Sequence, residues 1–302
     1  MWILLAVIAG CVQTARNALS RSLTGKVSPA LNSWARFSFN LPFSTSLVVL
    51  LIVLNGVPTL SLPFYGYCTV TAIAQLLANV ALIKAFERAN FAQTIVLHKL
   101  EVVFTAIVGM LFFVEIPSAT GWIGVTVCTF GMMLINLGRE RGPAGWRRAF
   151  HLDRGAVFAL ACAMGLVAAG FALKTGVASF VLANPRVGIG RFEAAAHTLF
   201  HTTWIEVAIL SVALFLRQPH EFRLVPVHWR RMLPLGASAF TGSICWFWAY
   251  SLTLVAYVKA VGQIEVVFAI ALAIRVWEEQ EVWRQLPGVA LLTIGIALVV
   301  LG

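Results

Sequence analysis

Charge is what this sequence is shortest of: only 11% of its 302 residues are Asp, Glu, Lys or Arg, against about 25% in an ordinary soluble domain. That scarcity excludes a water-soluble fold. Motifs of several function classes are missing as well. There is no GxxxxGKS or GxxxxGKT loop, so no nucleotide-driven motor is built in. The cysteines Cys11, Cys68, Cys128, Cys162 and Cys245 lie in separate apolar runs without CxxC spacing, which excludes the usual zinc and dithiol frameworks. No basic segment precedes the apolar run that opens at Met1-Trp2, so the first helix is expected to stay uncleaved. The formal charge of +10 is not gathered in a soluble segment, and no recognition module for nucleic acid interrupts the chain.

What the chain has in quantity is apolar length. Hydrophobic residues make up 60% of it and mean hydropathy is +0.88. The runs fall near 2–22, 30–54, 68–86, 91–113, 119–138, 155–174, 187–216, 232–252, 256–276 and 286–302, lengths that match the core of a bilayer. Phe158 to Ala172 is apolar or small on every face, without the alternation of a transmembrane β-barrel. The reading is an all-α polytopic membrane protein with ten transmembrane helices, in a plasma or bacterial inner membrane. Its most polar stretch, 139–154, holds five arginines and the Gly142-Pro143 breaker, as a linker between two halves would.

The halves repeat. Residues 81–138 align without gaps on 245–302, with 14 of 58 positions identical and LEVVF at 100–104 against IEVVF at 264–268. The same register pairs Glu115 with Glu279, Gly124 with Gly288, Thr129 with Thr293 and Gly131 with Gly295; at another offset, Arg36-Phe37 falls on Arg191-Phe192. Five helices per copy, an odd number, send the second copy into the membrane in the opposite sense. The expected organisation is therefore two inverted five-helix repeats, 1–138 and 155–302, around a basic linker at 139–154. Inverted repeats are a common way for secondary transporters to build two interconvertible states.

These features resemble the EamA-like group of the drug/metabolite transporter superfamily: five helices twice, Arg-Phe on the second, Leu-Glu on the fourth closing about fourteen residues later on Glu, and a glycine-rich fifth. The chain departs from that pattern at four positions. Val102 and Val266 stand where proline often follows the Leu-Glu, and Val114 and Glu278 precede the closing glutamates in place of glycine. The resemblance implies a ten-helix basket with a central cavity, and a role in moving amino acids, small metabolites, sugars or drugs. It also implies export.

The basic residues carry topology. Odd-numbered connections hold fifteen Lys and Arg and even-numbered ones only Arg186, which by the positive-inside rule places both termini outside, whereas the resemblance implies termini inside. Inside the apolar runs lie Arg16, Arg36, Lys99, Lys174, Arg191, Lys259, Glu101, Glu193, Glu206 and Glu265, with His98, His197 and His201. At about 2.5 kcal/mol each these ten charges would cost about 25 kcal/mol if unpaired in lipid, more than a fold's net stability. They must be paired, interfacial, or turned to a wet cavity.

Helical spacing sorts them. Gln13, Arg16, Asn17 and Ser20 share a face of the first helix, and Thr94, His98, Glu101 and Thr105 a face of the fourth. Both are candidate substrate-binding faces, with polar inter-helix contact as the alternative. Glu101 and Glu265 occupy equivalent repeat positions and form a candidate proton-coupling pair, His98 serving as a relay; the alternative is a structural salt bridge, Glu101 with Arg16. Trp246 and Tyr250, four apart, are candidate stacking residues or part of an interfacial belt. Glu193, His197 and His201 follow i+4 steps without an HExxH motif, and no metal site is expected. Arg36 and Arg191 are expected to snorkel or to cap carbonyls.

The function expected from these readings is secondary active transport of small polar metabolites such as amino acids by alternating access, with protons as a candidate coupling ion and no cofactor. An organic-cation or multidrug exporter and a membrane-embedded enzyme are the alternatives. The partners are a small-molecule substrate and the lipid bilayer, with no nucleic acid.

Overall fold

Apolar runs too uniform for an amphipathic stripe fold as helix, because only helices satisfy every backbone polar group within one segment in lipid. A computed structural model describes residues 1–23, 25–88, 91–137, 153–185, 190–277 and 284–302, and among these there is no strand. In chain order the helices are α1 (Trp2–Leu23), α2 (Pro29–Ser38), α3 (Leu41–Asn55), α4 (Leu62–Arg88), α5 (Phe91–Lys99), α6 (Glu101–Phe112), α7 (Ala119–Leu137), α8 (Arg154–Ala183), α9 (Arg191–Arg217), α10 (Val225–Leu252), α11 (Val255–Gly262), α12 (Glu265–Trp277) and α13 (Leu286–Leu301). A 3₁₀-helix, Pro219–Leu224, joins α9 to α10. Most of the expected linker, together with Arg186, Glu278 and Glu279, lies outside the described residues.

Among the described residues six helices are long and apolar enough to cross a bilayer, counting α2 and α3 as one, and α13 is a shorter apolar helix. The chain is a multi-pass membrane protein. The other apolar runs are divided or mixed: 91–113 and 256–276 each fold as two short helices, and α10 opens with His228, Arg230 and Arg231. The distribution of side chains is that of a lipid-facing protein, with Leu54 68% and Leu216 75% exposed while Glu206 is 2% and His197 1% exposed.

The chain divides into two compact units, each drawing on both halves of the sequence. Unit 1 is Met1–Ile73 with Ala172–Leu252, and unit 2 is Ala74–Phe171 with Thr253–Gly302.

In unit 1, α1 packs along α10, and α9 packs against α2, α3 and α10. A core of Leu23, Leu31, Ala35, Leu214, Met232 and Leu235 fills one end. Ser28 caps α2 by accepting from the Leu31 amide at 3.1 Å, while its own amide donates to Glu221 at 3.1 Å. The α2 and α3 segments part at Phe39 and Asn40, and α10 passes there through Gly236, where any Cβ would strike the Phe39 backbone. Thr59 and Asn184 exchange hydrogen bonds of 2.6 and 2.9 Å.

In unit 2, α7 and α13 meet through the glycines that the sequence repeat pairs. A Cβ on Gly131 would lie 2.5 Å from the Leu292 amide nitrogen, and one on Gly295 2.5 Å from that of Cys128. Gly124 and Gly288 are equally close to the opposing backbone. Small residues that let backbones approach are the usual currency of helix association in lipid. The α6–α7 connection holds Val114 at φ +56°, a left-handed conformation strained for a β-branched side chain. Next to it Glu115 accepts the Val255 amide at 2.8 Å, capping the start of α11.

The two divided runs break at matching places. The Leu100 amide bonds to Leu97 at 3.3 Å, and the Gln263 and Ile264 amides bond three residues back to Ala260 and Val261, each at 3.1 Å. These i→i−3 bonds tighten the helix just before Glu101 and Glu265 and restart it there. Mid-helix 3₁₀ geometry of this kind often marks a functional hinge. It forms here with Val102 and Val266 where proline would otherwise account for a break.

Candidate functional site

Lys99 ends α5 and Glu101 begins α6. Side chains two apart on a helix point to different sides, so these two do not meet, and each finds its counter-charge at the equivalent break of α11 and α12. Lys99 Nζ lies 3.2 Å from Glu265 Oε1, and Lys259 Nζ lies 3.5 Å from Glu101 Oε2. The pairing is crossed: each glutamate of the repeated Glu-Val-Val-Phe segment is held by a lysine from the other copy. Each carboxylate also sits in a helix's first turn, where the backbone dipoles favour negative charge.

The surroundings bury these charges without fully engaging them. Lys259 is 5% exposed and also donates to the Leu166 carbonyl at 3.1 Å. A Cβ on Gly170 would lie 3.1 Å from Val255 and 3.6 Å from the Lys259 side chain, so glycine leaves the lysine room. Thr105 donates to the Glu101 backbone carbonyl at 2.6 Å. Thr94 is buried with its hydroxyl unpartnered, and Gln263 donates to the Lys259 carbonyl at 3.4 Å while its own Oε1 has no partner. Half-buried His98 brings Nδ1 within 3.5 Å of Cys162 Sγ. Two pairs whose partners come from different segments, among spare donors and acceptors, can exchange a counter-ion for a ligand group of the same charge.

Unit 1 handles its polar groups differently. On α9, Glu193 accepts from the Asn55 amide at 2.8 Å through Oε2, and its Oε1 has no partner. His197 stacks on Phe180 at 4.8 Å, with neither ring nitrogen hydrogen-bonded. His201 lies edge-on to Phe64, Tyr65 and Phe200 at 5.0 to 5.4 Å. Among the described residues no group of three or more His, Cys, Asp or Glu is arranged to hold a metal. Arg191 donates to the Ser251 carbonyl at 2.8 Å, a capping contact, whereas Arg36 is attracted to buried Glu206 and lies 4.9 Å from the Phe37 ring.

With this geometry in hand, the model of the EamA-like transporter family matches residues 154–301, from the first residue of α8 to the last of α13. Those residues, just under half of the chain, are similar to the EamA-like transporter family. The family sits in the drug/metabolite transporter superfamily, whose members move small molecules across membranes and are not enzymes. No curated protein sequence matches significantly. Among solved structures 28 chains match, and one crystal structure superposes with a TM-score of 0.67 over 99% of this chain and 97% of its own, at 16% identity. At that identity the likeness is one of fold alone.

In this EamA-like chain the residues singled out from the sequence fall in both units. Thr94, His98, Glu101 and Glu265 lie in unit 2 around the crossed pairs. Gln13 and Arg16 are half-buried and Asn17 exposed on α1 in unit 1, while Ser20 of the same face accepts from the Asn32 amide at 3.0 Å. Trp246 and Tyr250, also in unit 1, stack with centroids 5.6 Å apart. The counter-ion of Glu101 is Lys259, where the sequence reading had offered Arg16. Lys99 and Lys259 were recognisable as intramembrane cations but not as partners, because the residues in each bond stand 166 and 158 positions apart.

Proposed function

We propose that this EamA-like protein is a secondary active transporter of small carboxylate-bearing metabolites such as amino acids, in which Lys99 and Lys259 receive the substrate carboxylate in place of Glu265 and Glu101. The observation that carries the reading is the crossed ion pairing at the two helix breaks. A carboxylate from solution is the natural competitor for a lysine already bound to a carboxylate, and exchanging one for the other leaves the buried charge balanced. The released glutamate is then open to a substrate ammonium, which suits a zwitterion, or to a coupling proton with His98 one turn away. Thr94 and Gln263 supply further hydrogen bonds. Two inverted five-helix repeats would alternate the access of such a site, and export is the direction that the family resemblance favours.

The test is counterflow in proteoliposomes with amino acids, their amides and organic cations as solutes. Carboxylate-bearing solutes are expected to exchange saturably, and Lys259→Gln to weaken that exchange about 10-fold, the equivalent of one lost contact of about 1.4 kcal/mol. Glu101→Gln or Glu265→Gln is expected to retain exchange and lose accumulation driven by a pH gradient, if the glutamate carries the proton. Transport of amides and organic cations, indifferent to Lys259→Gln, would overturn the reading in favour of an organic-cation exporter. On the α1 face, unchanged binding in Arg16→Ala would remove Arg16 from the substrate contacts.

A further inference from the structure

We propose that Glu206 is a proton-binding site of unit 1, which holds a proton in the arrangement described and leaves its carboxylate to the Arg36 guanidinium when the proton departs. This goes beyond the transport reading: Glu206 is not among the lysine-held carboxylates, and the proposal needs no substrate.

Glu206 lies on α9 and is 2% exposed. Its Oε1 is closed off from water and has no hydrogen-bond partner among the described residues. A carboxylate is acceptor-only, and burying its charge without donors is among the costliest things a fold can do. The residues nearby do not supply the missing donor. Asn40, 1% exposed, spends its amide nitrogen on Thr203 Oγ1 at 3.5 Å, and its Oδ1 is another buried acceptor without a partner. Arg36 attracts Glu206 electrostatically, yet its Nε too is buried and unpartnered.

The carboxylate thus keeps one oxygen, Oε1, that neither water nor a hydrogen-bond donor reaches. One hydrogen on Glu206 removes the charge and turns an acceptor into a donor, and it is the only ligand that needs no space. When it leaves, the O–H bond breaks, the electron pair stays on the carboxylate, the proton passes to water, and the negative charge is balanced by Arg36, which stays cationic throughout. Of the elements packed on α9, α3 carries no charged residue, the 3₁₀-helix carries exposed His220 and Arg223 and half-buried Glu221, and Arg230 and Arg231 of α10 lie in its exposed opening turns; Cys68 of α4 is turned to the Thr198 carbonyl at 4.0 Å. Arg36 on α2 is the charged group that acts on Glu206.

Infrared difference spectroscopy across a pH titration of the purified full chain in lipid tests this directly. Wild type at neutral pH is expected to show the carbonyl stretch of a protonated carboxyl group that Glu206→Gln lacks. The variant is expected to unfold within about 3 °C of wild type, since glutamine is the neutral isostere. Absence of the band in wild type, or its persistence in Glu206→Gln, would overturn the proposal. So would a variant that unfolds much earlier or fails to fold, because Glu206 would then be the ionised partner that Arg36 requires.

Discussion

In unit 2 the glutamates that open α6 and α12 each lie within 3.2 to 3.5 Å of a lysine, whereas in unit 1 Glu193 is met by the neutral amide of Asn55 and Glu206 has no hydrogen bond at Oε1. The chain therefore manages buried carboxylates in two ways. In unit 2 a lysine is the counter-ion of each of the two carboxylates; at Glu206 of unit 1 the proposed proton takes that place.

The largest effect that could break this comparison is the loss of one partner in unit 2. Lys259→Met strands the buried Glu101 carboxylate and is expected to cost about 3 to 5 kcal/mol, read as thermal unfolding in detergent. The double variant Lys259→Met with Glu101→Gln should recover most of that loss. A single variant as stable as wild type would mean that Glu101 is not ionised and that the two units do not differ in kind.

A smaller effect sharpens the contrast in packing. Gly131→Ala in unit 2 places a methyl group 2.5 Å from the Leu292 amide nitrogen, while Gly242→Ala in unit 1 meets nothing nearer than Val12 at 3.6 Å. Overpacking against backbone should cost about 1 to 3 kcal/mol in the first case, and the second should be near neutral. Equal melting temperatures for the two would place the repeat glycines outside the energetics of unit 2.

The smallest expected effect concerns two helix ends. Unit 1 closes α3 on Gly56 at φ +86°, and unit 2 follows α6 with Val114 at φ +56°. A left-handed conformation costs a residue with a Cβ about 1 to 2 kcal/mol, so Val114→Gly should stabilise by about 1 kcal/mol and Gly56→Ala should destabilise by a similar amount. The gain from Val114→Gly would be absent if Val114 were not in that conformation in the membrane.

Much of this was legible in the sequence. The scarcity of charge and the length of the apolar runs required a helical membrane protein, since only helices and closed β-barrels satisfy backbone polar groups in lipid and the runs lack a barrel's alternation. The gap-free repeat pointed to Gly124, Gly131, Gly288 and Gly295, which lie at the closest helix contact of unit 2, and to Glu101 and Glu265, which open matching helices. The runs 91–113 and 256–276, each read from the sequence as one span, fold as two short helices apiece. The first break has neither proline nor glycine beside it, and a one-residue tightening leaves the apolar pattern unchanged.

What the sequence determined by itself was the inventory: which charges lie in apolar runs, which positions repeat, and that such charges must find partners. Only the tertiary structure decided who the partners are. Lys99 reaches Glu265 and Lys259 reaches Glu101 across 166 and 158 residues of chain, while Glu206 is left with an arginine that does not bond to its Oε1. Helical periodicity fixes which side of a helix a charge occupies, but pairing depends on which helices pack together and at what depth. That choice is made by close backbone contacts at glycines and by helix breaks, and it leaves no local signature around the charges themselves.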